Sequence, residues 1–175
     1  MELVIARNEP VLLSLGSNQG DRRLHLALAL RKLTEAGIQV QAISSLYETE
    51  PVDVSNQPDF LNLACLVETT LTPVDLLERC MEIEEQLGRV RSVRRGPRPV
   101  DIDIIYIGDR VIQSDHLTVP HPRRLQRRFV LEPIAEIAAD FRDPVMHRSV
   151  STLLSQCLDQ ARVQKSGKLE EKNWK

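Results

Sequence analysis

Val100-Asp101-Ile102-Asp103-Ile104-Ile105-Tyr106-Ile107 (VDIDIIYI, residues 100–107) is the stretch on which the reading of this chain turns. Its β-branched and aromatic content predicts a strand. On a strand, residues i and i+2 share a face about 7 Å apart. Asp101 and Asp103 are therefore expected on one face, continued by Ile105 and Ile107. Ile102, Ile104 and Tyr106 are expected on the other. Just upstream, Thr72 suits a helix cap, Pro73 a first helical position, and Asp75 completes the cap spacing. Leu76, Leu77, Cys80, Ile83 and Leu87 continue that helix to Gly88. Further back, Phe60–Thr69 reads as a strand apolar on both faces, and Ile38–Tyr47 as another. A helix is predicted from about residue 21 to 36, carrying Leu24, Ala27, Leu28, Leu30 and Leu33. Val11–Leu15 reads as a buried strand stopping at Gly16.

This order, β-α-β-β-α-β, predicts an α+β, ferredoxin-like sandwich: two helices on one face of a mainly antiparallel sheet. Downstream additions are a hairpin turn at Gly108-Asp109 into Arg110–Ile112 and a short helix within Phe129–Ala139. A C-terminal amphipathic helix is marked by Val150, Leu153, Leu154, Cys157, Leu158 and Ala161. Residues 1–164 are expected to form one domain, with 165–175 a polar, frayed tail.

The chain has 175 residues, 42% apolar and 27% charged, a globular balance of single-domain size. No apolar stretch approaches the roughly 18 residues of a membrane helix. The N-terminus has no apolar core or small-residue cleavage site, so a cytoplasmic protein with no membrane partner is expected. Cys65, Cys80 and Cys157 lie inside apolar patterns without metal-binding spacing and are read as core thiols.

The net charge of −2 conceals a division. Residues 1–88 carry −8, residues 89–128 carry +6, and residues 129–175 are balanced. All ten basic residues of the middle segment are arginines, whose planar forks suit phosphate and carboxylate. Two readings stand: a polyanion site, or a solvated segment paired with the acidic remainder.

The aspartate pair also has two readings. Two partly desolvated carboxylates repel, and a divalent cation relieves that repulsion while sharing its shell with substrate phosphates. Alternatively, they face water or pair with arginines. The arginines between 89 and 98, and the cluster His121, Arg123, Arg124, Arg127 and Arg128, favour phosphoryl chemistry. Asn62 shares a strand face with Phe60, Ala64 and Leu66, where its amide suits either a heterocycle edge or a neighbouring loop. Glu84 sits on the apolar stripe of its helix, ready to meet a ligand or an arginine. The loop after the first strand matches neither GxxxxGK[ST] nor GxGxxG, which disfavours Walker and dinucleotide sites.

Together the motifs LSLGSNQGDR (13–22), SSLYETEP (44–51), QPDFLNLA (57–64), IEEQLGRVR (83–91), GPRPVDIDII (96–105), LTVPHPR (117–123) and RRFVLEPIAEIA (127–138) are specific. From about residue 11 to 140 the chain resembles 6-hydroxymethyl-7,8-dihydropterin pyrophosphokinase, the folate-pathway enzyme. The resemblance implies a ferredoxin-like α+β fold and transfer of pyrophosphate from ATP to the pterin hydroxymethyl group, releasing AMP. It implies two Mg²⁺ ions on Asp101 and Asp103, with Arg89 and Arg91 as further catalytic residues. ATP-site positions fall on Glu84, Arg89, Arg91, Arg98, Ile104, His121 and Arg127. Pterin-site positions fall on Thr49, Val52, Phe60, Asn62 and Phe129, the two phenylalanines stacking on the ring. Small-molecule partners, no nucleic acid and a monomer are expected.

The chain departs from its relatives in places. Arg95 stands where many have a tryptophan, in an arginine loop one residue shorter. Glu50 replaces a frequent proline, Met81 a glutamine and Pro122 a tyrosine. The main rival reading, an RNA-binding module of the same shape, needs aromatics on an open sheet face, and this chain has few.

Overall fold

Every residue of the first strand, β1 (Val11–Ser17), is buried, because β1 is covered on both faces and paired along both edges. The computed structural model describes residues 4–5, 9–52, 56–88 and 97–175. After β1 come α1 (Arg22–Glu35), β2 (Gln39–Ile43), β3 (Tyr47–Thr49), β4 (Phe60–Glu68) and α2 (Pro73–Gln86). Then follow β5 (Asp101–Ile107), β6 (Ile112–Gln113), β7 (Thr118–Val119), α3 (Arg128–Ala138), α4 (Val150–Ser155) and β8 (Val163–Lys165). The main sheet is antiparallel in the order β5-β1-β4-β3-β8, with β2 also pairing β4. This is the expected ferredoxin-like α+β plan.

The helices start where local chemistry dictates. Asp21 accepts the Leu24 N–H at 3.0 Å to cap α1. Thr72 accepts the Asp75 N–H at 3.1 Å to cap α2, with Pro73 at the first turn. Both helices pack on one sheet face, joining Leu26, Leu30, Leu33, Leu76 and Cys80 to Val11, Leu13 and Leu15 in a single core. The opposite face has its own helices. Val130, Leu131 and Ile134 of α3, with Val150 and Leu153 of α4, cover Leu12, Ala64, Ile105 and Tyr106. The two-helix expectation thus accounts for one layer, and α3 and α4 add a partial second. Cys65, Cys80 and Cys157 are buried thiols, as read. Burial raises the Cys80 thiol to about 12, helped by Glu84 and Asp103.

Several expected elements take a different form. The strand expected over Ile38–Tyr47 is two strands, because serines interrupt it. Ser44 Oγ accepts the Ala64 N–H at 2.9 Å, and Ser45 donates from its N–H and Oγ to Glu136 of α3. Strict alternation along β5 also fails. The register against β1 passes from Leu12↔Tyr106 to Leu13↔Ile104, leaving Ile105 extra. Beyond this bulge the faces exchange: Tyr106 joins the α3 core, and Ile107 joins Ile102 and Ile104 in the α1/α2 core.

The Gly108-Asp109 turn forms, with Arg110 N–H donating to Ile107 O at 3.0 Å. The chain does not return along β5, however. Arg110 binds Glu9 through two nitrogens at 2.7 and 2.9 Å, and Ile112 pairs with Val119 in a separate two-stranded ribbon. The last helix ends at Ser155, short of the expected Ala161, leaving Leu158 exposed. Asp159 diverts the chain by accepting the Arg128 N–H at the start of α3 and the Ala161 N–H, both at 2.9 Å.

The expected fraying after residue 165 is corrected as well. β8 pairs with β3, and Ser166 and Gly167 exchange backbone hydrogen bonds with Leu46 at 2.7 Å each. Leu169 and Trp174 are buried in the α1/α2 core, and Arg31 of α1 donates to Asn173 O at 3.3 Å. Among the described residues, no helix is long and apolar enough to cross a membrane.

Trp174 is only 5% exposed, so Trp174→Ala leaves a cavity at the rim of that core. The expected loss is about 3–5 kcal/mol in denaturant unfolding. A loss below about 0.5 kcal/mol would show that the tail is not integral to the fold.

Candidate functional site

The sheet face that α3 and α4 cover is closed only over part of its length. At the uncovered end the register with β1 sets side chains in rows. Gly16 lies opposite Asn62 on β4 and Asp101 on β5, and Ser14 lies opposite Ala64 and Asp103. Directly opposed residues on antiparallel strands share a face about 5 Å apart. An amide and two carboxylates therefore face one space across a glycine and a serine.

A cavity opens over these rows. Its lining includes Thr49, Val52, Phe60, Asn62 and Phe129, together with Arg98, Asp101, Asp103, His121 and Arg127. Ser14, Gly16, Glu50, Pro51, Gln57 and Arg123 complete it. The expected pterin-side positions thus share one cavity with Arg98, His121 and Arg127, three of the seven expected nucleotide-side positions. Glu84 and Ile104 stand outside it. Glu84, 5% exposed on α2, accepts the Ile102 N–H at 2.7 Å and so steadies β5 between the two aspartates. The Ile104 side chain is packed in the α1/α2 core. Arg89 and Arg91 lie outside the described residues.

On the amide side, Asn62 Nδ2 donates to Thr49 Oγ1 at 2.6 Å. Thr49 ends β3, directly opposite Phe60. The close packing explains Gly16: a Cβ there collides with Asn62 Oδ1 and stands 3.6 Å from Phe60 Cδ1. On the carboxylate side, Arg98 Nε is 3.0 Å from Asp101 Oδ2. Arg127 Nη1 is 3.9 Å from Asp103 Oδ2, and its guanidinium lies 5.5 Å from the Phe129 ring centre. Both alternatives raised for the aspartates thus meet here, since each has an arginine close by while lining an open cavity.

Asn18, 2% exposed, joins the two sides. Its Oδ1 accepts the Arg98 N–H at 2.9 Å, its own N–H donates to Arg98 O at 3.3 Å, and its Nδ2 donates to Gln57 Oε1 at 3.1 Å. His121 enters from the segment after β7. Burial lowers its pKa below the ordinary histidine value, against the pull of Asp103 and with help from Arg127, Arg123 and Arg124. Among the described residues, no three His, Cys, Asp or Glu side chains gather as a ready-made metal cage.

Gly16, Ser14, Asn18 and Gln57 were missed as site residues. The signal for Gly16 and Ser14 was cross-strand register, and that for Asn18 was the turn at 16–21, an all-turn-former run between a strand and a helix.

Comparisons with known proteins show the family. The family model for 7,8-dihydro-6-hydroxymethylpterin-pyrophosphokinase matches residues 12–139. A Bacillus subtilis relative, 2-amino-4-hydroxy-6-hydroxymethyldihydropteridine pyrophosphokinase, is 46% identical over 131 residues, covering 74% of this chain and 78% of the relative. The folic acid synthesis protein fol1 of Pneumocystis carinii is 41% identical over 152 residues, 87% of this chain. The chain spans only 20% of that longer relative. The crystal structure of Plasmodium falciparum HPPK-DHPS with pteroate superposes with a TM-score of 0.70 at 16% identity, covering 89% of this chain and 45% of that one, and so shares the fold. The chain belongs to the 7,8-dihydro-6-hydroxymethylpterin-pyrophosphokinase family.

Proposed function

We propose that this chain transfers pyrophosphate from ATP to the hydroxymethyl group of 6-hydroxymethyl-7,8-dihydropterin, releasing AMP, as a step of folate biosynthesis. The observation that supports it most is one cavity joining an amide flanked by aromatic rings to two carboxylates flanked by arginines. Asn62 and Thr49 offer donors and acceptors to the pterin edge, with Phe60 and Phe129 against its faces and Val52 at the rim. Arg98 and Arg127 offer positive charge to the phosphates, and His121 offers a hydrogen bond. Arg89 and Arg91, assigned by the family resemblance, neutralise charge as the bridging oxygen leaves. Glu84 and Ile104 contribute through β5, by holding its backbone beside the nucleotide.

The donor set also fits Mg²⁺. Asp101 and Asp103 bring carboxylate oxygens from one strand face, with side chains 21% and 43% exposed. Two carboxylates without a third ligand leave the remaining shell to phosphate oxygens and water, which is how Mg²⁺ is commonly held beside nucleotides. Two ions, once bound, would acidify the poorly nucleophilic primary alcohol and offset phosphate charge. We take the protein to act in the cytoplasm as a monomer on these small molecules, with neither nucleic acid nor membrane as partner.

The direct test mixes protein, Mg²⁺, ATP and the hydroxymethyl dihydropterin. AMP formed only when pterin is present is the expected result; ADP instead would refute pyrophosphoryl transfer. Asp103→Asn is expected to lower kcat about 10²–10³-fold with the melting temperature retained. Arg89→Ala is expected to lower kcat far more than it weakens ATP binding, and equal losses would remove it from the catalytic group. Gly16→Ala is expected to push Asn62 aside and lower kcat/KM for the pterin about 10²-fold. In titration calorimetry its ATP binding without pterin should match the parent.

A further inference from the structure

A buried ion pair lies behind the cavity wall, outside the site described above. Asp143 is fully buried, and both its oxygens are engaged. Oδ2 accepts from Arg124 Nε at 2.5 Å and from the Tyr106 hydroxyl at 2.9 Å. Oδ1 accepts from Arg124 Nη2 and from the N–H groups of Val145 and Met146, each at 2.9 Å. Arg124 is 6% exposed and does not line the cavity. Its third nitrogen, Nη1, donates to the carbonyl of His121 at 3.1 Å.

His121 is thereby held at both backbone polar groups, since its own N–H donates to Ile105 O at 3.0 Å. Its side chain runs the other way, into the cavity, where Nδ1 accepts the Arg123 N–H at 3.2 Å. A neutral imidazole that accepts at Nδ1 carries its proton on Nε2. The same tight turn sets Arg127, whose N–H donates to Arg124 O at 3.4 Å.

We propose that Arg124, gripped by Asp143 and Tyr106, is a positioning residue for the nucleotide half of the site. Its rigid fork reaches a carboxylate on one side and the His121 carbonyl on the other, which an apolar side chain of similar size cannot do. It thereby fixes the direction of His121 and the side of the ring that accepts from Arg123, so that Nε2 faces the cavity with Arg123 and Arg127. A buried ion pair brings little net stability over well-packed apolar residues. What this pair contributes is direction. The inference rests on the ATP reading of the cavity.

The test is the double variant Arg124→Leu/Asp143→Asn, which removes both charges while the amide oxygen still accepts from the Val145 and Met146 N–H groups and the amide NH₂ faces the Tyr106 hydroxyl. In the parent, ¹⁵N-edited NMR of the imidazole rings at pH 8 should show His121 as a single Nε2–H tautomer, assigned by the loss of its signal in His121→Gln. The double variant should melt within a few degrees of the parent yet show mixed tautomers. Its KM for ATP should rise about 10- to 100-fold, the range for outer partners that orient a binding side chain, with KM for the pterin within twofold. A folded double variant with parental tautomer and KM for ATP overturns the proposal, as does an equal rise in both KM values. Should the double variant not fold, Arg124→Lys decides. It keeps a charge opposite Asp143 but cannot span to the His121 carbonyl, so a parental tautomer there overturns the proposal. The NMR readout needs no turnover, so a parent that makes no AMP defeats the ATP reading while the His121 anchor is still measured.

Discussion

The pairing of β1 with β4 on one edge and β5 on the other is the constraint from which the site follows. It sets Asn62, Gly16 and Asp101 in one row and Ala64, Ser14 and Asp103 in the next. Side chains alternate on strands, so a slip of one residue along β1 would turn its partners' site residues against α1 and α2. The buried apolar residues Val11, Leu13 and Leu15 make that slip costly, because each has a place in the opposite core. The chemistry of the cavity is thus held in register by residues that never touch it.

The parts of the fold legible in the sequence were those written in local chemistry. Thr72, Pro73 and Asp75 announced α2, and the turn formers at 16–21 announced the entry to α1. Misread parts depended on distant partners. Nothing near Ser44 and Ser45 shows that Glu136 of α3 will hold a break in the strand there. Nothing near Leu158 shows that Asp159 will bind the start of α3 and end the helix early. The polar segment 165–175 reads as a tail because only Leu169 and Trp174 reach the core, and their sockets are formed by residues far upstream. The site followed the same division. Family motifs pointed to the aspartates, Asn62, His121, Arg98 and Arg127, all of which line the cavity, and left Arg123 unassigned. Gly16 and Asn18 act through neighbours across the sheet.

The described arginines of the middle segment fall into two populations. Arg98, Arg123 and Arg127 line the cavity. Arg110, Arg124 and Arg128 serve the architecture, bonding Glu9, Asp143 and Asp159 in turn. Composition offered an anion site and a set of pairs with acidic residues as alternatives, and the described arginines divide between cavity lining and internal pairs. Partly exposed pairs such as Arg110–Glu9 add little to stability.

The bulge at Ile105 has a consequence for how this gene can change. Up to Asp103 the strand answers to the cavity, and from Tyr106 onward it answers to the packing against α3. The extra residue lets both demands fall on one face. Substitutions along β5 disturb one contact at a time. Regular alternation at the strand's present length would send the Tyr106 phenol into the α1/α2 core, away from Asp143. The aspartates would still stand in their rows, but the support behind His121 would be gone. A change at this point therefore keeps Tyr106 in place only if it keeps the bulge or removes one residue with it.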